Sequence, residues 1–575
     1  GTYTIDPLTP TGGTNFQYFA DAMGSLMNCG ISDTTIINIA TGTYDTTLTF
    51  NGAIPGAGPS ACVIFQSASG VNTDVVLRDS AIAATSNYIV KLNGTSRVQF
   101  RNMSFLTQGA TYGTAINIGG GSHYNLFEGN IIGGQTTTST SSDKALIYNS
   151  SAVNDTNNIV RNNILNNGSY GIYWYGVSSS SLEKNSIIEG NTLNNFYYYG
   201  IYSYYQKGIV IRGNNLSTNS AYSYVAGMYL NYNDYSIIEK NKVFVPAYYG
   251  IYFYYSDGDA TTHSRIVNNM IQVGGTSTSY GLYTYYSNYV DVFHNTINSN
   301  SSSGRSMYIY YGGNLNIQNN FITNIGGGFA IYKSSSSTVF ESDYNNLYTT
   351  GAVLGYNGTN TADLAAWKTS TGKDSHSVSV APIYYGPSDL HTMAFTIDGL
   401  ATPLGITEDI DGEPRNMTTP DMGADEFTPP PFEAELSSAV SPLTGCGLGV
   451  EDVIIRVKNN GSDTIDGNFT ATYVVNNGTP VTESITATIL PMDTYDFTFA
   501  ATVDMYVGTG NDSTFNFDAW VTLLNDTIHL NDSISFKAVS LHTPASVSLT
   551  NATIPYATST TLTATSADTI QWYAD

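Results

Sequence analysis

One short phrase recurs through the middle of this 575-residue chain: an aliphatic residue, two loose positions, an Asn, one more position and another apolar residue. It reads FEGNII at 127–132, VRNNIL at 160–165, IEGNTL at 188–193, IRGNNL at 211–216, IEKNKV at 238–243, IVNNMI at 266–271, VFHNTI at 292–297 and IQNNFI at 317–322. It alternates with a second phrase, Gly-Ile-Tyr-x-Tyr, seen at 171–175, 200–204 and 250–254 and, as GLYTY, at 281–285. From Asn130 to Asn320 the Asn positions lie 23 to 33 residues apart, and self-similarity at such a period signals a solenoid. Both phrases alternate with period two, the mark of short strands with one buried face. Three such strands with their turns fill roughly 25 residues, so the expected unit is one rung of a parallel β-helix.

The G-I-Y phrase and the next Asn phrase are 11 residues apart from Gly200 to Ile211 and from Gly227 to Ile238, and the gap swells after Gly171 and Gly250. Insertions confined to one corner leave stacked strands in register. The repeated Asn suits a tight corner, where it tolerates left-handed backbone angles. Stacked copies also suit an amide ladder along the axis.

The chain holds 45 tyrosines, and 27 of them fall between Tyr170 and Tyr311. The G-I-Y-x-Y phrase places Tyr173 and Tyr175, Tyr202 and Tyr204, Tyr252 and Tyr254, Tyr283 and Tyr285, and Tyr308 and Tyr310 on one strand face. Ile172, Ile201, Met228, Ile251, Leu282 and Met307 take the other. The aliphatic face is expected inside and the phenols outside, as two columns rising about 4.8 Å per rung. Such columns stabilise themselves by ring packing, or serve as a platform for glycan rings or another protein.

Only 11% of residues are charged and the formal charge is -25. Nucleic acid is therefore not an expected partner, since phosphate binding needs clustered Lys and Arg. An anionic polysaccharide is repelled unless calcium bridges it. No apolar run reaches 18 residues, so no membrane-spanning helix is expected. The three cysteines, Cys29, Cys62 and Cys446, match no zinc spacing, and a Cys29–Cys62 disulfide is expected in an oxidising compartment.

The chain divides into an entry cap and first coils (1–75) with an amphipathic helix at 15–28, β-helix repeats (76–350), closing coils and cap (351–427), a proline linker (428–432), a strand-rich module (433–540) and the start of another (541–575). The linker is stiff and cannot join a sheet. The last stretch is too short for a strand-rich module, so the parent chain is expected to continue.

Residues 35–50 (TIINIATGTYDTTLTF) resemble the first coil of right-handed parallel β-helix proteins of the pectate lyase-like group, and the repeats resemble the NosD-like β-helix repeat. Residues 408–427, of the form D-x-D-G-x-x-R then D-x-G-A-x-E, resemble the closing segment of surface β-helix proteins of Bacteroidota, matched by Asp411, Gly412, Arg415, Asp421, Gly423, Ala424 and Glu426. Residues 441–465, with 476–491 and 531–533, resemble Ig-like, CARDB-type modules of proteins exported by type IX secretion. These resemblances imply an all-β chain, a right-handed parallel β-helix with a capping helix followed by an Ig-like β-sandwich. They also imply that Arg415 pairs with carboxylates to close the last coil.

Chemistry-bearing clusters are sparse. Residues 256–265 (SDGDATTHSR) gather Asp257, Asp259, His263 and Arg265, and Asp-x-Asp is a calcium-ligating pattern; Asp409 with Asp411 is a second candidate. Each reads more simply as a turn. His123 with Glu128, and Asp291 with His294, lie close in sequence but lack a third member. There is no G-x-S-x-G and no H-E-x-x-H. Asp followed by Ser or Thr recurs at Thr34, Thr46, Ser80, Thr464, Ser513, Thr527, Ser533 and Thr569, resembling the O-glycosylation acceptor of Bacteroidota.

The expected function is a non-catalytic extracellular cell-surface adhesin, or a surface-filament or gliding component, needing no cofactor beyond a possible Ca2+. Its expected partners are a glycan or another surface protein, and the type IX machinery. The alternative is a polysaccharide lyase or glycoside hydrolase with Ig-like modules, its site near Asp257, Asp259 and His263.

Overall fold

A rung of this chain is three short strands joined by corners, and the rungs stack in parallel register. The computed structural model describes residues 1–275, 278–334, 338–508 and 511–542, with 548–549, 561 and 563–565. It forms two units, Gly1–Phe427 and Thr428–Asp575. The first is a parallel β-helix. Its first face includes Tyr170–Tyr175, Tyr199–Lys207, Ala226–Asp234 and Tyr249–Tyr254; its second face includes Ile159–Arg161, Ile187–Glu189, Val210–Arg212 and Ile237–Glu239. The third face is a separate sheet of 12 parallel strands, Met270–Val273 and Thr296–Ser299 among them. Two longer strands, Tyr280–Phe293 and Arg305–Gln318, run from the first face into the second.

Like residues recur in files because the register is exact from coil to coil. Ile116, Ile147, Ile172, Ile201, Met228, Ile251, Leu282, Met307 and Ile331 pair in succession. All are fully buried in one continuous core, each side chain contributing about 1.5–3 kcal/mol relative to exposure.

The Asn residues form the expected amide ladder. Asn130 Nδ2 donates to Asn163 Oδ1 at 3.0 Å, Asn163 to Asn191, Asn191 to Asn214, and so on through Asn241, Asn269, Asn295 and Asn320 to Asn345. The same Oδ1 also accepts the backbone N–H of the preceding ladder Asn. The conformational role differs from expectation. The left-handed residue is the one before the ladder Asn: Gly129, Asn162, Gly190, Gly213, Lys240, Asn268, His294 and Asn319 all have φ between 50° and 69°. The ladder Asn supplies hydrogen bonds; its predecessor turns the corner.

On the second face, Arg101, Glu128, Arg161, Glu189, Arg212 and Glu239 lie in register and alternate in sign. Ion pairs link neighbours, the closest being Arg161 with Glu128 at 2.6 Å and Arg212 with Glu189 at 2.7 Å.

The entry end is covered by a helix, Phe19–Cys29, which buries Phe19, Ala22 and Leu26. It starts later than its amphipathic pattern suggests, because Asn15–Phe16 pairs with Thr2–Ile5 as strand. At the other end a helix at Leu364–Thr371 is N-capped by Asp363 and buries Trp367.

Residues 380–427 do not close the last coil. They fold back along the third face as a strap, packing Ile397, Ala401 and Met422 on Phe321, and Leu390, Ile410 and Ala424 on Met270. Arg415 is buried and pairs with Glu426 at 3.0 Å, but its other Nη donates to Asn268 Oδ1 and Gly423 O. It therefore pins the strap to a mid-solenoid corner.

Cys29 and Cys62 are free thiols, a correction to the expected disulfide. Cys29 ends the capping helix and is exposed, whereas Cys62 Sγ lies against Thr34 Oγ1 and accepts from Gln99 Nε2.

The second unit has a three-stranded antiparallel sheet (Ala434–Ser441, Val450–Asn459, Thr494–Asp504) and a five-stranded sheet that includes Phe469–Val475, Ser513–Thr522 and Ser533–Leu541. Val453, Ile455, Phe469, Phe499 and Phe517 share its core. The proline segment packs against this unit, Pro430 O and Pro431 O accepting from Ser462 N and Asp463 N. The further module expected at 541–575 lies largely outside the described residues. Among the described residues no helix is long and apolar enough to cross a membrane.

Removing one ladder amide orphans several buried groups, each costing about 1–3 kcal/mol. Asn241→Ala is expected to lose at least about 3 kcal/mol by urea denaturation. Asn166→Ala, on the solvent side of the same rung system, is expected to stay within about 1 kcal/mol. Equal losses would remove the ladder from the account of stability.

Candidate functional site

The tyrosines of the first face form a wall outside the aliphatic core, packed together as a cluster of their own. One file runs unbroken through Tyr148, Tyr173, Tyr202, Tyr229, Tyr252, Tyr283, Tyr308, Tyr332 and Tyr356. A second runs through Tyr175, Tyr204, Asn231, Tyr254, Tyr285 and Tyr310. All ten tyrosines singled out from the sequence lie in these two files. Tyr252 and Tyr283 are buried to 8% exposure, and the other eight are half-buried.

Ring geometry decides what the wall presents. Tyr148 and Tyr173 stack at 5.0 Å and 10°, Tyr173 and Tyr202 at 4.9 Å and 20°, and Tyr175 and Tyr204 at 5.0 Å and 18°. Planes so aligned spend their faces on each other and turn edges and hydroxyls outward. The stack breaks midway: Tyr229 meets Tyr252 at 60° and Tyr254 meets Tyr285 at 66°. Arg305 sits over the Tyr332 and Tyr308 rings, 4.3 and 5.1 Å from their centroids, and donates to Tyr280 Oη.

A third file was missed. Tyr205, Tyr232, Tyr255, Tyr286 and Tyr311 occupy the corner beyond the wall, with φ of 57°, 51°, 46°, 51° and 55°. Tyr232, Tyr255, Tyr286 and Tyr311 stack at 4.7–5.2 Å, within 14° of parallel. A bulky residue in left-handed backbone is uncommon, and packing on both neighbours holds it there. The signal was the second Tyr of the doublets at 204–205, 254–255, 285–286 and 310–311, with Tyr232 following Asn231 at the same place.

Burial, with neighbouring phenols adding to it, makes many of the wall's phenols weaker acids by raising their pKa. Tyr173, Tyr229 and Tyr254 are each pushed up to about 12, and Tyr199, Tyr202, Tyr252 and Tyr283 rise further. These phenols stay neutral at any physiological pH.

The acidic candidates are spent on the backbone. Asp257 Oδ1 accepts from Asn288 N and Nδ2, and Asp259 Oδ1 from Thr261 N, Thr261 Oγ1 and Thr262 N. Those bonds, Thr261 first, hold Asp259 down to about 2. Asp409 is buried and accepts from Asp411 N, Glu413 N and Glu426 N. Asp411 instead joins His391 and Asp425, whose ligand atoms all lie within 4.8 Å of one another. Arg265 lies in register with Asp291. The sequence neighbours separate: Asp291 pairs with His263 Nδ1 at 2.8 Å, and His294 with Asn319. His123 accepts from Thr156 N, while Glu128 belongs to the charge ladder. Of the Asp-Ser/Thr positions, Ser80, Ser513, Thr527 and Ser533 are exposed and Thr34, Thr46 and Thr464 half-buried; Thr569 lies outside the described residues.

A phenol raised in the folded state binds a proton that the unfolded chain has released, so stability falls as pH climbs between the two values. Denaturant midpoints are expected to drop from pH 10 toward pH 12, with phenolate absorbance at 295 nm lagging behind that of the unfolded chain. Replacing Tyr173 and Tyr229 by Phe is expected to flatten that slope. Titration of every phenol near 10 would show the wall to be solvated.

The family described as "Right handed beta helix region" matches residues 144–307. No curated protein matches the chain by sequence. Among solved structures, a mutant of the periplasmic alginate epimerase AlgG is 14% identical, with 56% of this chain and 74% of that one covered at a TM-score of 0.40. PfbA, a surface adhesin of Streptococcus pneumoniae, is 13% identical over 59% and 86% at 0.33. Tailspike protein 2 of an Escherichia coli O157:H7 bacteriophage is 10% identical over 93% and 68% at 0.31. Scores this low carry no argument about function. The family match and the stacked coils together make the first unit a right-handed parallel β-helix.

Proposed function

We propose that this chain is a non-catalytic extracellular protein, an adhesin or a component of a surface filament or gliding apparatus, whose tyrosine wall contacts a glycan or another surface protein. The observation that carries this reading is the unbroken file of nine tyrosines from Tyr148 to Tyr356. Stability explains rings packed against each other, but not the recurrence of one residue type over nine successive coils. Edge-on phenols offer hydroxyl donors and acceptors together with apolar ring edges, a surface suited to hydroxyl-rich partners. In this reading the second unit is an Ig-like, CARDB-type spacer, export is by type IX secretion, and the exposed Ser80, Ser513, Thr527 and Ser533 carry O-glycans.

A second reading, a glycan-cleaving enzyme, is favoured by one observation: the His263–Asp291 pair stands on the outer surface of the second face with Nε2 unpartnered among the described residues. Turnover on neutral and acidic polysaccharides, lost in His263→Ala, would replace the first reading with this one.

The wall is tested with Tyr254→Ala and Tyr285→Ala, both half-buried in the second file. Retention on immobilised glycans and on whole bacterial cells is expected to fall at least about tenfold, matching loss of one or two aromatic contacts. Unchanged retention by folded variants would sink the proposal.

A further inference from the structure

The second face changes character along the axis. Beyond Glu239 the charge-ladder file continues as Val267, Phe293, Gln318 and Asp343, and the neighbouring file as Arg265, Asp291, Asn316 and Glu341. The turn at 372–375 overhangs these last coils. Together they enclose an open groove of about 610 Å³ lined by His263, Asn316, Gln318, Glu341, Lys373 and Ser375, within the size range of small-ligand sites.

The overhang is held in place. Asp374 is buried and accepts from Trp367 Nε1 at 2.7 Å, Ser342 Oγ at 2.9 Å and Ser377 Oγ at 2.7 Å. A wall fixed by a buried carboxylate needs little ordering when a ligand enters.

The carboxylates at the groove are already bonded within the protein: Glu341 pairs with Lys373 at 2.7 Å, Asp343 meets His376 Nδ1 at 2.7 Å and Asp291 meets His263 Nδ1 at 2.8 Å, while Asp374 is held by its Trp and Ser donors. Amide and imidazole capacity is left over. Gln318 Nε2 donates to Asn316 Oδ1 at 2.8 Å, which fixes both amides. Asn316 Nδ2, Gln318 Oε1 and His263 Nε2 then have no partner among the described residues. Val339, 59% exposed, supplies an apolar rim.

Planar amides with open donors and acceptors, an imidazole, carboxylates already bonded within the protein and an apolar rim match the hydroxyls and C–H faces of a sugar. We propose that this groove binds a neutral oligosaccharide, held by Asn316, Gln318 and His263. A uronate chain would bring anions to a protein of charge -25, which repels them. A peptide binding by strand addition needs an open sheet edge; the floor strand Arg305–Gln318 is paired on both sides, and at the terminal strand Phe340–Asp343 the turn already occupies the edge, Asp374 N donating to Ser342 O at 2.8 Å. The site lies on a different face from the tyrosine wall and does not depend on it.

Calorimetry on the full chain tests the proposal with cellohexaose, xylohexaose and mannohexaose against a galacturonate hexamer and an uncharged hexapeptide. At least one neutral hexasaccharide is expected to bind, Asn316→Ala and Gln318→Ala each weakening it tenfold or more and Asn166→Ala, on the third face, leaving it unchanged. In the unsubstituted protein the same sugar is expected to slow amide exchange at 314–318 and 372–375, a readout that stands if a variant misfolds. Binding of no neutral hexasaccharide, binding insensitive to both amide substitutions, or preference for the uronate or the peptide would overturn it.

Discussion

The vertical register of the coils rests on the buried amide ladder. Each Asn Oδ1 accepts two N–H groups from the coil below, and each Nδ2 also reaches a backbone carbonyl, Ile211 O in the case of Asn241. A slip of one residue would leave these groups unpaired in the interior, where each costs about 1–3 kcal/mol. The chain therefore absorbs length variation at corners. Coil lengths of 23 to 33 residues coexist with unbroken files of Ile, Leu and Met within and Tyr without.

The tyrosine wall is a consequence of that register, and its energetics are close to balanced. Left-handed backbone at Tyr232, Tyr255 and Tyr286 costs about 1–2 kcal/mol each, while an aromatic pair contributes about 0.5–1.5 kcal/mol. Tyr255 and Tyr286 have a stacked partner above and below and Tyr232 has one stacked and one tilted, so ring packing roughly offsets the strain. Stability accounts for how the rings pack. It leaves the outward edges, hydroxyls and the mid-wall break between Tyr229 and Tyr252 free for contact.

What was legible in the sequence follows the repeat. Period-two alternation revealed the strands, the aliphatic file and the two phenol files, because a stacked rung turns sequence period directly into spatial position. The strap was hidden because Leu390, Ile397, Ile410 and Met422 have no period of their own and find their partners on coils more than 70 residues away. Two features were present in the spacing but unread. The second letter of the Asn phrase alternates Glu, Arg, Glu, Arg, Glu from Glu128 to Glu239, and His263 stands one coil, 28 residues, from Asp291. Proximity along the chain misled instead: on one strand and its corner, Asp291 and His294 point to different environments. The disulfide failed for a related reason, since Cys29 closes a helix while Cys62 faces a β-coil.

Charge placement ties the two proposed contact regions together. The net charge is strongly negative, yet the wall carries neutral phenols with Arg305 over two of them, the ladder cancels rung by rung, and the carboxylates of the groove are each bonded to a Lys, His, Trp or Ser side chain. Such patches on an acidic surface select by exclusion: an anionic partner meets repulsion everywhere, and a cationic one finds the groove's carboxylates already spent on Lys, His, Trp and Ser side chains. Recognition there must come from hydrogen bonds and apolar edges, interactions that salt screens little. That is the chemistry of an uncharged, hydroxyl-rich ligand, and it is the same requirement reached separately from ring orientation on one face and from open amides on the next.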